Sequence, residues 1–170
     1  MKRKAVKKMT LEHGELLLKK LLPFLSKGRF VSVATSSEER MPNVALKIIA
    51  KVEKNVIYVV DHVIGTTYAN LKRNPRVALG FVDEKSFTGY QLNGTATLME
   101  RGQEFEALAE EFQKIKTDFT VQRILYNVRS GGQVPPLELA LPERFAIIKI
   151  RVIEVVEVAA SGALRSQFAL

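Results

Sequence analysis

The sequence predicts a mainly β protein, a six-stranded antiparallel barrel or sandwich with helices filling its gaps. Three observations lead there. Short apolar or alternating stretches recur between polar turns. The connections between them are brief, as hairpins require. Strand–helix–strand alternation does not recur, which argues against a doubly wound parallel sheet.

The first element is a helix. Leu11 and Leu17 begin an apolar pattern that Leu18, Leu21, Leu22 and Leu25 continue at helical spacing, predicting a helix over residues 10–25. Pro23 is expected to kink it or end it early. Residues 30–35 follow as a short β-rich stretch, and residues 36–41 as a polar turn. Over residues 43–53 the alternation is clear. Leu46, Ile48, Ala50 and Val52 are expected on one face, and Lys47, Ile49, Lys51 and Glu53 on the other. Lys54-Asn55 reads as a tight turn into a third strand, residues 56–61, apolar enough to be covered on both faces.

Gly65-Thr66-Thr67 then falls where that strand ends and a short helix begins. Asn74-Pro75 stops the helix, because proline disfavours helical geometry in the residue before it. Residues 76–83 and 89–100 are the next strands, with a bulge expected at Gly94. Gly102 opens another helix. Its buried stripe is Phe105, Leu108, Ala109 and Phe112, and its glutamates make a wet face rather than an acid–base pair. A separate helical piece is expected over residues 120–127. Residues 129–136 read as a loop; Gly131-Gly132 is taken as part of that loop rather than as a lid. In the last strand, residues 145–158, the alternation slips near residues 153–155, as at a bulge or barrel corner. The expected organisation is a basic tail over residues 1–9, one domain over 10–160, and a C-terminal tail over 161–170.

The 170-residue length suits one domain with a real core. Zero cysteines exclude disulfides, thiolate metal sites and cysteine nucleophiles. No apolar run approaches the roughly 20 residues of a membrane span, and the expected location is the cytoplasm. The net charge of +8 invites a nucleic-acid reading. Lys2, Arg3, Lys4, Lys7 and Lys8 carry five of those charges, so nucleic acid is not the expected partner. His13 and His62 are not in metal-ligand spacing, and no Ser-His-Asp constellation occurs. No catalytic side chain and no metal ligand is expected.

The chemistry centres on Gly65-Thr66-Thr67. A helix start leaves N–H groups unpaired and carries partial positive charge. Two hydroxyls beside such a start make a cup for an anion such as a phosphate. Thr66 and Thr67 can equally cap the helix, and one role does not exclude the other.

VSVAT within residues 30–35, Met41-Pro42-Asn43, ANLKRNPRVAL over residues 69–79 and Leu92-Asn93-Gly94-Thr95-Ala96 resemble, in order and spacing, the FMN-binding split-barrel proteins related to pyridoxamine 5′-phosphate oxidase. The resemblance runs from about residue 16 to 158. It implies a six-stranded antiparallel split β-barrel, a homodimer, and FMN in clefts between the subunits. It implies that Ala45, Leu46, Lys47, Ile48 and Ile49 lie along the flavin, mostly through backbone groups. Val60 and Asp61 border the cofactor, Asp61 being otherwise a turn residue at a strand end. Thr66 and Thr67 hold the phosphate, with Asn70 one turn on, and Gln91 is the polar candidate on the long strand. The implied activity is an FMN-dependent oxidoreductase acting on a small-molecule redox substrate. A deazaflavin or haem in place of FMN, and a non-catalytic flavin-binding protein, are the alternatives.

Two departures bear on this. Family members often carry Lys or Arg at the phosphate junction, where this chain has threonines; Lys47 either supplies that charge or is an ordinary exposed strand lysine. True pyridoxamine phosphate oxidases also share a C-terminal segment with Trp and Arg. This chain has no Trp and ends SGALRSQFAL, so vitamin B6 oxidation is not expected.

Overall fold

The computed structural model describes residues 11–28, 30–83, 86–131, 144–158, 161 and 164–170. In chain order these form α1 (Leu11–Gly28), β1 (Phe30–Ser36), β2 (Pro42–Glu53), β3 (Val56–Asp61), α2 (Thr66–Arg73), β4 (Arg76–Asp83), β5 (Thr88–Met99), α3 (Gln103–Ser130), β6 (Ala146–Val158) and β7 (Leu164–Ala169). The basic tail expected at residues 1–9, and Gly132 of the expected loop, lie outside the described residues. Every strand pairing is antiparallel. The strand order is β3-β2-β1-β4-β5-β6-β7, and a further β3–β6 pairing closes the first six into a barrel.

The barrel closes because β6 divides its pairing. Its first half, from Ala146 to Arg151, pairs with β3. Its second half, from Glu154 to Val158, pairs with β7. The change of partner falls at Ile153, an extra residue opposite the Asn93/Gly94 step of β5. The expected phase slip and the expected irregularity at Gly94 are thus one bulge seen from two strands. A Cβ on Gly94 would stand 2.4 Å from the Arg151 carbonyl oxygen, so the close approach requires glycine.

Inside the barrel lie Val31, Val33, Ile49, Ile57, Val59, Val77, Leu79, Leu92, Ile148, Ile150, Val152 and Val155. Leu18, Leu21 and Leu25 of α1 join that core beside the start of β1, and Leu71 of α2 joins it near the opposite end. Pro23 does not end α1. It sits on the exposed side, where water can satisfy the carbonyl that its missing N–H leaves open. A second core lies outside the barrel, where Leu108, Phe112 and Ile115 of α3 cover Ile48, Ala50, Tyr58, Val60 and Ile147.

Three expectations are corrected. The face assigned to Leu46, Ile48, Ala50 and Val52 is broken by a bulge at Ala50, between the Ile49–Val59 and Lys51–Tyr58 pairs. Beyond it, Val52 packs with the interior core alongside Ile49. The two helical pieces expected after Gly102 are one 28-residue helix, α3, because no glycine or proline interrupts it. It ends at Gly131 with φ of 63°, a left-handed stop that suits glycine. Part of the segment assigned to a C-terminal tail is β7, paired to β6.

Candidate functional site

The site forms where β2 begins and α2 begins. β3 pairs with β2 only from Ile48 onward. Residues 42–47 therefore pair with β1 alone among the described residues, and half of their backbone groups face away from the sheet edge. Gly65 is the residue before the first turn of α2, and no side chain among the described residues caps that turn. The leading N–H groups of a helix lack intrahelical partners and can meet an anion.

Asn43 ties the open strand edge to the helix start. Its side-chain amide donates to Thr67 Oγ1 at 3.1 Å and to Thr35 Oγ1 at 3.2 Å. The Asn70 amide donates to the same Thr35 oxygen at 3.1 Å. Thr35, Thr67 and Asn70 are buried, so this network fixes α2 over the ends of β1 and β2. Thr35 and Asn43 were not singled out as site residues. Strand phase carries a signal for Thr35, which follows Val31 and Val33 on the inward face.

Beside the network, Lys47 pairs with Asp61, with side chains 7% and 0% exposed. Lys47 is therefore neither an exposed strand lysine nor a free cation for a phosphate. Asp61 Oδ2 and His62 Nδ1 are buried with no hydrogen-bond partner among the described residues. α2 is held on another side by Tyr68, whose hydroxyl donates to Glu100. Arg144 Nη2 reaches the other Glu100 oxygen at 3.1 Å, and Lys72 Nζ lies 4.8 Å from the Tyr68 ring centroid. The Tyr68 hydrogen bond, and then that from Arg144, hold the Glu100 carboxyl below the usual carboxylate range.

The expected site residues divide by position. Thr66 is exposed at the helix start, whereas Thr67 is turned inward onto Asn43. Asn70 is buried in the network. Ala45 is half-buried, and Leu46 is 63% exposed on the outer face. Ile48 and Val60 point under α3, and Ile49 points into the barrel. Their side chains are not open to a ligand. Gln91 is exposed on β5, donating to Asn93 Oδ1 at 2.7 Å. It is joined to Leu46 by the register Leu46–Ser32–Gly80–Gln91 across four strands. Among the described residues there is no group of three or more His, Asp or Glu able to hold a metal. No helix among them is long and apolar enough to cross a membrane.

The family profile described as pyridoxamine 5′-phosphate oxidase matches residues 17–157. An uncharacterized protein of Methanocaldococcus jannaschii is 35% identical over 115 residues, covering 61% of this chain and 76% of the relative. A Clostridium acetobutylicum protein related to general stress protein 26 superposes with a TM-score of 0.63 at 18% identity, over 92% of this chain and 96% of that one. A pyridoxamine 5′-phosphate oxidase-related, FMN binding protein from Nostoc punctiforme superposes with a TM-score of 0.53 at 11% identity, over 95% and 90% of the two chains.

Proposed function

Since the chain belongs to the pyridoxamine 5′-phosphate oxidase family, we propose that it is a flavoprotein that holds FMN between two copies of itself and serves as an oxidoreductase. The observation that carries this reading is the meeting of the open β2 edge with the uncapped first turn of α2, tied together by Asn43 and Thr67. A flavin ring presents hydrogen-bonding edges and an FMN tail presents a phosphate, and these two features match them. The residues that would hold FMN are Thr66 and the leading N–H groups of α2 at the phosphate, and the backbone of Ala45, Leu46 and Lys47 along the ring. Asn43, Thr35 and Asn70 would keep the two parts in register. Bound FMN supplies the redox chemistry, so no side chain need act as a nucleophile. Vitamin B6 oxidation is not proposed.

A second copy is supported by the outer face of the sheet. Ser32, Ala34, Ala78 and Gly80 make a shallow strip, with Ser32 opposite Gly80 and Ala34 opposite Ala78. Val44, Leu46 and Val82 are exposed at 66%, 63% and 57%. Exposed apolar side chains gathered on one sheet face support the reading that a second copy packs there.

A deazaflavin or haem is the second reading. The first turn of α2 carries no basic residue and Lys47 is committed to Asp61, so the phosphate pocket is poor in cations. One visible spectrum of the purified protein, before and after a chemical reductant and with FMN added, separates the readings. A flavin spectrum that bleaches on reduction supports the proposal. A colourless protein that takes up no FMN contradicts it.

A further inference from the structure

Helix α3 carries two apolar stripes on opposite sides. The first, Leu108, Phe112 and Ile115 with Phe119 beyond them, packs down on the barrel. The second, Val121, Ile124, Leu125 and Val128, repeats at the spacing of one helix face. At about 100° per residue, the second stripe is turned about half a revolution from the first. It therefore points away from its own barrel, and its side chains are between 48% and 77% exposed. We propose that this stripe seats on the outer sheet face of a second copy, each copy lending the distal half of α3 to the other. The proposal rests on the reading that two copies pair, and not on which cofactor they hold.

The surface is self-complementary. α3 lies on the outside of the barrel, and its Phe119 ring stands 5.5 Å from that of Phe30 at the start of β1. Phe30 shares the outward face of β1 with Ser32 and Ala34. Beside it runs the shallow strip of Ser32, Ala34, Ala78 and Gly80. A raised helix thus adjoins a recess floored by small side chains. Two-fold rotation brings the helix of each copy over the recess of the other, an isologous arrangement. Small residues beneath Val, Ile and Leu let helix and sheet approach closely. Neither the stripe nor the strip holds a charged side chain to desolvate.

The exposed area suits this occupant. The stripe, with Phe30, Val44, Leu46 and Val82, exposes apolar surface on the scale of the roughly 800 Å² per partner that a stable interface buries. A helix face alone would suit many partners. A matching recess on the same chain singles out a second copy.

The test uses the full chain, which has no cysteine of its own. Sedimentation equilibrium is expected to show a dimer. Ile124→Glu combined with Leu125→Glu should raise its dissociation constant at least a hundredfold. Both side chains are exposed in the single subunit, so this variant should keep a cooperative melt. Leu125→Cys and Ser32→Cys chains, incubated together under mild oxidation, should form a disulfide joining one chain of each kind, read by mass spectrometry of the linked peptides. Should the glutamate variant lose its fold, the cysteine pair decides alone. A dimer that survives both glutamates, or a mixture that gives no disulfide between the two kinds of chain, would overturn the exchange of helices and leave pairing itself intact. A monomeric parent would overturn both, and a monomer that binds anionic vesicles through the stripe would assign it to a membrane surface instead.

Discussion

Lys47 of β2 and Asp61 of β3 form an ion pair sealed within the fold, with side chains 7% and 0% exposed. They lie 14 residues apart in sequence and meet near the end of the barrel where α2 packs. Burying two charges has a large desolvation cost that mutual attraction only partly offsets. Breaking the pair from one side leaves a bare charge in the core.

Asp61→Ala is therefore expected to destabilise the fold by about 3–5 kcal/mol. The double change Lys47→Met with Asp61→Leu should recover most of that loss, because it removes both charges and keeps apolar bulk. Urea denaturation of the two variants beside the parent checks this. A single variant as stable as the parent would contradict the assignment.

Gly94→Ala should destabilise by at least about 2 kcal/mol. Its Cβ would stand 2.4 Å from a backbone oxygen that cannot swing aside. Gly89→Ala is the control, since a Cβ there meets, among the described residues, only Val158, at an ordinary 3.8 Å. Thermal melts of both proteins decide the point.

α3 is clamped to the barrel by Glu104. It accepts from Lys149 Nζ at 2.7 Å and from the Tyr58 hydroxyl at 2.8 Å. Lys149, and then Tyr58, hold the Glu104 carboxyl below the usual range. Glu104 in turn raises Lys149, while burial, and then Glu104, raises Tyr58. A depressed carboxyl stabilises above its unfolded value, and that contribution is lost as pH falls through the folded value. A raised lysine or tyrosine stabilises below its unfolded value, and that contribution is lost as pH rises through the folded one. The clamp is thus strongest near neutrality and weakens at both extremes. Glu104→Gln should flatten both limbs of the melting-temperature profile against pH. The exposed setting keeps the effect small.

Asn43→Ala removes the link between the open β2 edge and the α2 start. The buried hydroxyl of Thr67 loses a donor, so a loss of about 1–3 kcal/mol in stability is expected. On the proposed reading FMN uptake falls further than stability accounts for. Parallel melts and flavin titrations separate the two effects.

Much of this architecture is legible in the sequence. The Lys54-Asn55 turn, the Asn74-Pro75 stop and the phase slip near Ile153 are local signals, and each appears in the fold at its place. The Ala50 bulge left no such mark, because no glycine announces it. It reversed the inward and outward assignment of everything after it in β2. The strand β7 was illegible because LRSQFA neither alternates clearly nor carries an apolar run. At the site, the loop-to-helix junction was visible as residue types. The burial of Lys47 was not, since its partner sits on a neighbouring strand and only the register brings them together. Thr67 looked equivalent to Thr66, yet helix rotation turns one inward and leaves the other exposed.

The proposed grip of the first turn of α2 on the phosphate of FMN is open to direct measurement. Its most direct measurement is the quenching of flavin fluorescence on titration with the protein, run side by side with FMN and with riboflavin. FMN is expected to saturate at one per chain and riboflavin, lacking the phosphate, to bind at least tenfold more weakly. Equal affinity for the two, or no quenching by either, would contradict it.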